Sequence, residues 1–283
     1  MIGATLDGRP DNLAFKPERQ RKIFSAFFIF TSPRKDTISL RMKLAVISDI
    51  HGNLEALQAV LAFLNGEGIK DIICLGDIVG YGADPNECID LIRETTDQII
   101  AGNHDWGVIG LTDTSFFNPV AKAAIEWTAD TVTEDSKKFL ARLPLTITRD
   151  DFLFVHGTPS SPEDWDYLFR AADALQEFKS FPQKACFIGH SHTPLMFARD
   201  QKGMVFQVNY TEQRLEDDRR YIINVGSVGQ PRDMDPDAAV GIYDRERKYF
   251  ILERIPYNIK TAQEKIIKAG LPAMLAERLG VGW

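Results

Sequence analysis

The chain has 283 residues, a formal net charge of −7 and 26% charged side chains. That length suits one large core, or one core with a modest appendage, and the acidic balance argues against nonspecific nucleic-acid binding, which needs clustered Lys and Arg. Acidity does not exclude phosphate-bearing ligands, because bound cations supply positive charge that the side chains lack.

Along the chain, residues 1–41 read as a leader, disordered or non-native, ahead of a domain that opens at Met42 directly into a strand. Within the leader, Ile23 to Phe30 follows Arg and Lys as a short signal-peptide core would. It has no small-residue cleavage site and runs straight into Pro33-Arg34-Lys35-Asp36. A cytoplasmic protein is therefore expected, and no apolar stretch reaches the roughly 18 residues of a membrane span. The expected division is a leader at 1–41, a catalytic domain at 42–256 and a C-terminal helical extension at 257–283.

Short apolar runs bounded by turn residues predict strands at Lys43–Ile47, Asp71–Leu75, Gln98–Ala101, Phe152–Val155 and Lys184–Ile188. Between the first two, Leu54, Leu57, Val60, Leu61 and Leu64 have helical spacing, with Asn53 as N-cap and Gly66 and Gly68 as the stop. A second helix starts at Pro85 and carries Cys88, Leu91 and Ile92. Asn118 to Leu143 predicts two helices broken near Thr131-Val132-Thr133, a region without a catalytic signal. After Thr193 the pattern turns to strands, at Leu195–Ala198, Met204–Val208, Tyr221–Val225, Ala238–Tyr243 and Tyr249–Ile255. Asn258 to Leu279 is helical again, interrupted at Gly270-Leu271-Pro272. The three cysteines, Cys74, Cys88 and Cys186, show no paired spacing, so no disulfide is expected. A βαβ first half followed by a strand-rich second half predicts an α/β (α+β) fold of two packed sheets flanked by helices.

The five histidines lie at or just past strand ends, in segments that also carry Asp, Asn and Gly. These read Ser48-Asp49-Ile50-His51-Gly52-Asn53, Gly76-Asp77, Gly102-Asn103-His104-Asp105, Val155-His156-Gly157 and Gly189-His190-Ser191-His192. In open α/β sheets, ligands bind at the carboxyl ends of strands, so five such ends predict one shared site. Imidazole, carboxylate and amide oxygen without thiolate suit Mn, Fe, Co, Ni or Zn in a catalytic centre. Taken singly, each segment has a plain reading: Asp49 and His51 as a helix cap, Asp77 as a turn residue, His156 as a packed histidine, His190 and His192 as surface turns. All of these must hold at once to dissolve the site.

The ordered series Asp-x-His, Gly-Asp, Gly-Asn-His-Asp, His-Gly and Gly-His-x-His resembles the calcineurin-like metallophosphoesterase superfamily over Lys43 to His192, in its small prokaryotic phosphodiesterase-like branch. The resemblance implies a four-layer αββα sandwich of two mixed sheets. Asp49, His51, Asp77 and His192 would hold one divalent ion and Asp77, Asn103, His156 and His190 the other, with Asp77 as the bridge and manganese favoured. It further implies in-line attack on phosphorus by a metal-bridging hydroxide, with His104 protonating the leaving oxygen and Asp105 orienting His104. Gly76-Asp77-Ile78-Val79-Gly80-Tyr81-Gly82 lacks the Asp-Arg-Gly arginine of protein Ser/Thr phosphatases, so phosphodiester or nucleotide-type substrates are expected ahead of phosphomonoesters or phosphoproteins. Dinucleoside polyphosphates are the alternative, and a metal-free binding scaffold is an alternative of another class, disfavoured because every ligand type is retained.

Outside these segments, Asn224 to Asp233 is glycine-rich. Arg232 there is placed either to grip a phosphate or simply as an exposed residue on a glycine-rich connection. Tyr81 and Asn53 flank the motifs and are candidates to line the pocket. Trp106, Trp127 and Trp165 read as packing residues rather than base-stacking platforms. A small phosphate-ester or nucleotide partner is expected, and no membrane.

Overall fold

Leu44 and Val46 of the first strand share one hydrophobic cluster with Phe154, Phe187 and Ile223, whereas Ala45 and Ile47 share another with Leu57 and Val60 of a helix. Successive side chains on a strand point to opposite faces, so this strand is buried on both: one face meets a second sheet, the other a helix. The computed structural model describes residues 42–283. The leader expected at 1–41 lies outside the described residues.

The first sheet contains β1 (Lys43–Ile47), β2 (Asp71–Cys74), β8 (Glu212–Arg214), β10 (Ala238–Asp244) and β11 (Tyr249–Ile255), in the order β2-β1-β10-β11-β8. β1 and β2 run parallel, and the remaining pairs are antiparallel. The second sheet contains β3 (Thr146–Arg149), β4 (Phe152–Val155), β5 (Ala185–Ile188), β6 (Leu195–Arg199), β7 (Val205–Gln207) and β9 (Arg220–Asn224), in the order β3-β4-β5-β9-β6-β7. Its centre, β4-β5-β9, is parallel. Between the sheets lies an aromatic core in which Phe154 and Phe187 stack at 5.3 Å. Truncating the fully buried Phe187 to Ala should cost about 3–5 kcal/mol.

Helix α1 (Leu54–Gly66) covers the outer face of the first sheet, and its N-cap is Asn53, whose side chain accepts from the Ala56 N–H. Helix α2 (Pro85–Thr95) starts on its proline, and α3 (Asn103–Val108) is a short helix opening on a predicted site residue. Helices α4 (Pro119–Thr131) and α5 (Glu134–Leu140) break at Val132, with Thr133 capping the second. On the second sheet's outer face, Ala174 of α6 (Ala171–Glu177) packs with Phe178 and Phe181 against Cys186, Ile188 and Phe197. Helices α7 (Ile259–Lys268) and α8 (Ala273–Leu279) gather Ala262, Ile266 and Leu275 around Tyr81 and α4. The architecture is the expected four-layer αββα sandwich.

One expected strand is corrected. Gln98–Ala101 forms only a single parallel bridge, Cys74 to Ile99, because Ala101 turns away to bond the Pro144 carbonyl. Strands β3 and β8 and helix α6 went unexpected. β3 and β8 are short and half-exposed, with no buried apolar run to mark them.

Candidate metal centre

The strand ends are laced to one another by backbone hydrogen bonds. Asp49 N–H donates to Gly76 C=O, His51 N–H to Asp77 C=O and Gly189 N–H to His156 C=O. The glycine-rich segment after β9 straps over the first loop, with Val228 N–H on the Ser48 carbonyl and Gly229 N–H on the Asp49 carbonyl. A Cβ at Gly229 would stand 1.8 Å from the Ile50 carbonyl oxygen, so only glycine allows this approach. Asp49, His51, Asp77, His190 and His192 all take positive φ, between 50° and 65°. Such backbone is uncommon outside glycine, costs of order 1–3 kcal/mol per residue and concentrates at functional sites. Here it aims five predicted ligands at one point.

Two donor clusters result, Asp49, His51, Asp77 and His192 in one and Asp77, His156 and His190 in the other, the donor atoms of each within 4.8 Å of one another. Asp77 is common to both. Its Oδ1 accepts the His104 N–H at 2.8 Å, so Oδ2 alone faces His51 Nε2 at 3.6 Å and His156 Nε2 at 3.3 Å. Asn103 brings its Oδ1 to 3.2 Å from His156 Nε2.

Ring chemistry shows what these groups lack. His51 Nδ1 lies 3.0 Å from the Val79 carbonyl and His192 Nδ1 lies 2.6 Å from the Gln230 carbonyl. A carbonyl only accepts, so each Nδ1 carries the hydrogen and each Nε2 presents a lone pair in the neutral ring. Those two Nε2 atoms face each other at 2.9 Å. Burial holds both rings well below the ordinary imidazole range, so neither gains a second proton to relieve the opposition. His156 shares the Nδ1 anchor, on the Leu75 carbonyl at 2.7 Å, and its Nε2 lies among oxygens, where without a cation it holds a proton against Asp77. Asp49 Oδ1 and His190 Nε2 are buried without any hydrogen-bond partner. Lone pairs converging on lone pairs in a buried site fit divalent cations, and carbonyls fixing the imidazole tautomer are the usual outer support of such ligands.

The charges are pushed apart. Burial raises Asp49 to about 7, His156 opposing and Asp77 adding to the rise. For Asp77 burial is outweighed by His156, His104 and His51, which hold its carboxyl well below the usual range. Burial also works against charge on His156, yet the Asp77 carboxylate lifts it to about 9. His104 and His190 drop through burial to about 4 and about 3.

His104 is buried, with Nδ1 unpartnered, and packs at a tilt against Tyr81 at 4.4 Å and Phe117 at 5.5 Å. Asp105 does not orient it, contrary to expectation. The Asp105 carboxylate accepts the N–H groups of Ile78, Val79 and Gly102 and clamps the two loops together. Adjacent residues on a helix project in different directions, which separates this side chain from the His104 ring. The ring instead rests over Gly80, where a Cβ would stand 2.4 Å from His104 Nδ1.

Arg232 lies over the Tyr81 ring at 5.6 Å and bonds Gln230 Oε1 at 2.9 Å, beside the first cluster. Arg278 of α8 reaches the same Gln230 oxygen at 3.1 Å. Asn53 is tied into the frame, with Oδ1 capping α1 and Nδ2 donating to the Gly229 carbonyl and to Tyr257, and it borders a small crevice with His51 and Tyr81. Trp127 packs with the C-terminal helices. Trp106 and Trp165, read from sequence as packing residues, instead wall a cleft of about 720 Å³ that opens from Asn103, His104 and His190. The readable signal was the run Asp164-Trp165-Asp166-Tyr167, aromatics set among acids in a loop with no core periodicity.

Fold, loops and donor set together define a metal-dependent phosphoesterase class. The family model for the calcineurin-like phosphoesterase superfamily domain matches residues 42–248, and the chain belongs to that family. An uncharacterized protein of Methanocaldococcus jannaschii is 43% identical over 247 residues, covering 86% of this chain and 99% of that protein. The crystal structure of a metallophosphoesterase from Sphaerobacter thermophilus is 38% identical with a TM-score of 0.76, covering 86% of this chain and all of that one. A hypothetical protein of Pyrococcus horikoshii shares the fold at 22% identity and a TM-score of 0.68, over 85% of this chain and 98% of that chain.

Proposed function

We propose that the protein hydrolyses phosphodiesters with two divalent cations, manganese favoured, held by Asp49, His51, Asp77 and His192 on one side and by Asp77, Asn103, His156 and His190 on the other. The observation that carries this is the pair of buried donor clusters sharing Asp77, with opposed imidazole lone pairs at 2.9 Å. Cations bound there would stabilise charge on the phosphoryl oxygens and generate a nucleophile from water at neutral pH.

The chain's own residues do the rest. His104, held by Tyr81, Phe117 and Gly80, lines the inner end of the cleft, where it can pass a proton to the departing oxygen. Burial keeps its ring neutral at pH 7, so a bound phosphate anion is what would draw a proton onto it. Arg232 lies beside the first cluster and is the side chain placed to grip a phosphoryl oxygen. Residues 42–256 would form the catalytic domain, with residues 257–283 as an extension that reaches the site through Arg278.

The test is a screen of purified protein, stripped and reloaded with Mn, Fe, Co, Ni or Zn, against bis(4-nitrophenyl) phosphate and 4-nitrophenyl phosphate. Metal-dependent turnover that favours the diester is expected. No turnover with any metal would end the proposal.

A further inference from the structure

We propose that the cleft beside His104 and His190 is a nucleobase subsite, so that the diester cleaved at the metal centre carries a nucleoside; this rests on the phosphoesterase reading above. Three observations converge on it.

The first is aromatic. Trp106 and Trp165 meet edge to face at 5.4 Å, and Trp165 also stands edge-on to the candidate ligand His156 at 5.9 Å. Tyr167 stacks on His190 at 4.0 Å, nearly parallel at 20°, and Phe169 stacks on Tyr167 at 5.7 Å and 11°. A ladder of parallel rings thus leads from a candidate metal ligand out to solvent. Tyr167 and Phe169 are 53% and 54% exposed, so they do not serve to fill a core. Planar, half-open aromatic surfaces are what bases stack on.

Charge is the second. Asp113, Glu163 and Asp164 line the cleft, and among the described residues no Lys or Arg does. A further phosphate extending into it would meet only like charge, whereas a neutral base would not. The phosphate of the substrate therefore stays at the cations and Arg232, and the group entering the cleft is uncharged and planar.

Third, Trp165 takes left-handed backbone, with φ at 58°, at the end of a short 3-10 turn, Pro162–Asp164. For so bulky a residue this is a strained conformation. Its indole N–H is tied to Thr112 Oγ1 at 3.2 Å. Strain that fixes a half-buried indole against a candidate metal ligand positions that ring for something beyond packing. The cleft's volume of about 720 Å³ is within the range of small-molecule sites.

In the reaction considered, the oxygen of water bonds phosphorus, the bond from phosphorus to the leaving oxygen breaks, and the alcohol departs with a proton. The test uses the methyl esters of adenosine 5′-monophosphate and of ribose 5-phosphate, which share the phosphodiester and differ at C1′, where one carries the base. The metal-loaded enzyme should favour the adenosine ester in kcat/KM by tenfold or more, on the order of one base stack, with the difference in KM. Trp165→Asn keeps a residue that tolerates left-handed backbone and removes the ring; it should bring the ratio close to one. Trp165→Phe should retain most of it. A wild-type ratio near one, or a ratio unmoved by Trp165→Asn, overturns the subsite while leaving the hydrolase intact. If neither ester is cleaved, turnover of bis(4-nitrophenyl) phosphate decides whether the phosphoesterase reading stands, and saturation-transfer NMR on adenosine decides the subsite alone. Transfer to the base protons that is weakened in Trp165→Asn supports it, and no transfer refutes it.

Discussion

Strand β2 begins at Asp71 and points toward Asp77 beyond its other end, and the two aspartates are treated in opposite ways. Asp71 is one-third exposed and receives Arg149 and Arg245, each at 2.8 Å. Asp77 is buried, meets no Arg or Lys among the described residues, and faces imidazoles. At one end of the strand the chain provides the countercharge itself and water shares the work, so the pairing is worth little. At the other, carboxylate and imidazole lone pairs are gathered at a cost in burial and backbone strain that their contacts with one another do not repay. A group left incomplete by its own protein, on a rigid frame, is built to be completed from outside.

The sharpest way to break this contrast is to neutralise each aspartate in turn. Asp77→Asn should lower metal-dependent kcat/KM by at least about 10³-fold, beyond the loss expected for one positioned donor. Asp71→Asn should leave it within about twofold. Comparable losses in both would remove the distinction.

Next in size, His104→Ala should cost about 10²–10⁴ in rate for a diester with a poor leaving group, and much less for a nitrophenyl ester, which hardly needs a proton. Metal content assayed in parallel should be unchanged. Equal losses for both substrates would assign His104 another role.

Gly80→Ala tests how His104 is held. The added methyl would enter the ring's space from a backbone at φ 91°, so the ring must move. A shift of even an ångström at a reacting group can cost about 10²-fold. Activity should therefore fall by up to that factor with two metals still bound. Full activity would show that packing over Gly80 does not place the ring.

Some of this was legible before any coordinates. The ends of β1, β4 and β5 fell where unbroken apolar runs meet Ser-Asp, His-Gly or Gly-His, because burial on both faces leaves an unmistakable run. Asn53 showed itself as a cap through side-chain chemistry acting over three residues. The donor residues stood out because imidazole at a strand end has no packing purpose. What failed was side-chain direction. Asp105 is next to His104 in sequence yet bonds backbone 26 and 27 residues away, and Trp165 faces the cleft through a left-handed turn that no periodicity announces. Edge strands such as β8 were missed because half-exposed polar residues in a three-residue ladder look like loop.

The pH response of the metal-free protein separates the two ends more finely. His156, against its burial, is lifted by Asp77 from 6.5 to about 9, so its contribution to stability is complete below pH 6.5 and is lost as pH rises toward 9. Burial lowers His51, His104, His190 and His192, so their contribution is complete above pH 6.5 and lost only on acidification. Between pH 7 and 9 the metal-free Tm should fall, while metal affinity should rise as the competing proton leaves His156. A metal-free Tm that climbs over this window would contradict the assignment. The smallest expected effect is on the stability of Asp71→Asn, under about 1 kcal/mol in denaturant titration, as for other partly exposed pairs.

The central claim is that one buried carboxylate serves two cation sites, and metal counting tests it most directly. Calorimetric titration of stripped protein with Mn, checked by elemental analysis, should give about two equivalents per chain for the wild type. Asp49→Asn should retain about one tightly bound ion and Asp77→Asn none. Two tightly bound ions surviving in Asp77→Asn, or a wild type that takes up none, would contradict the account.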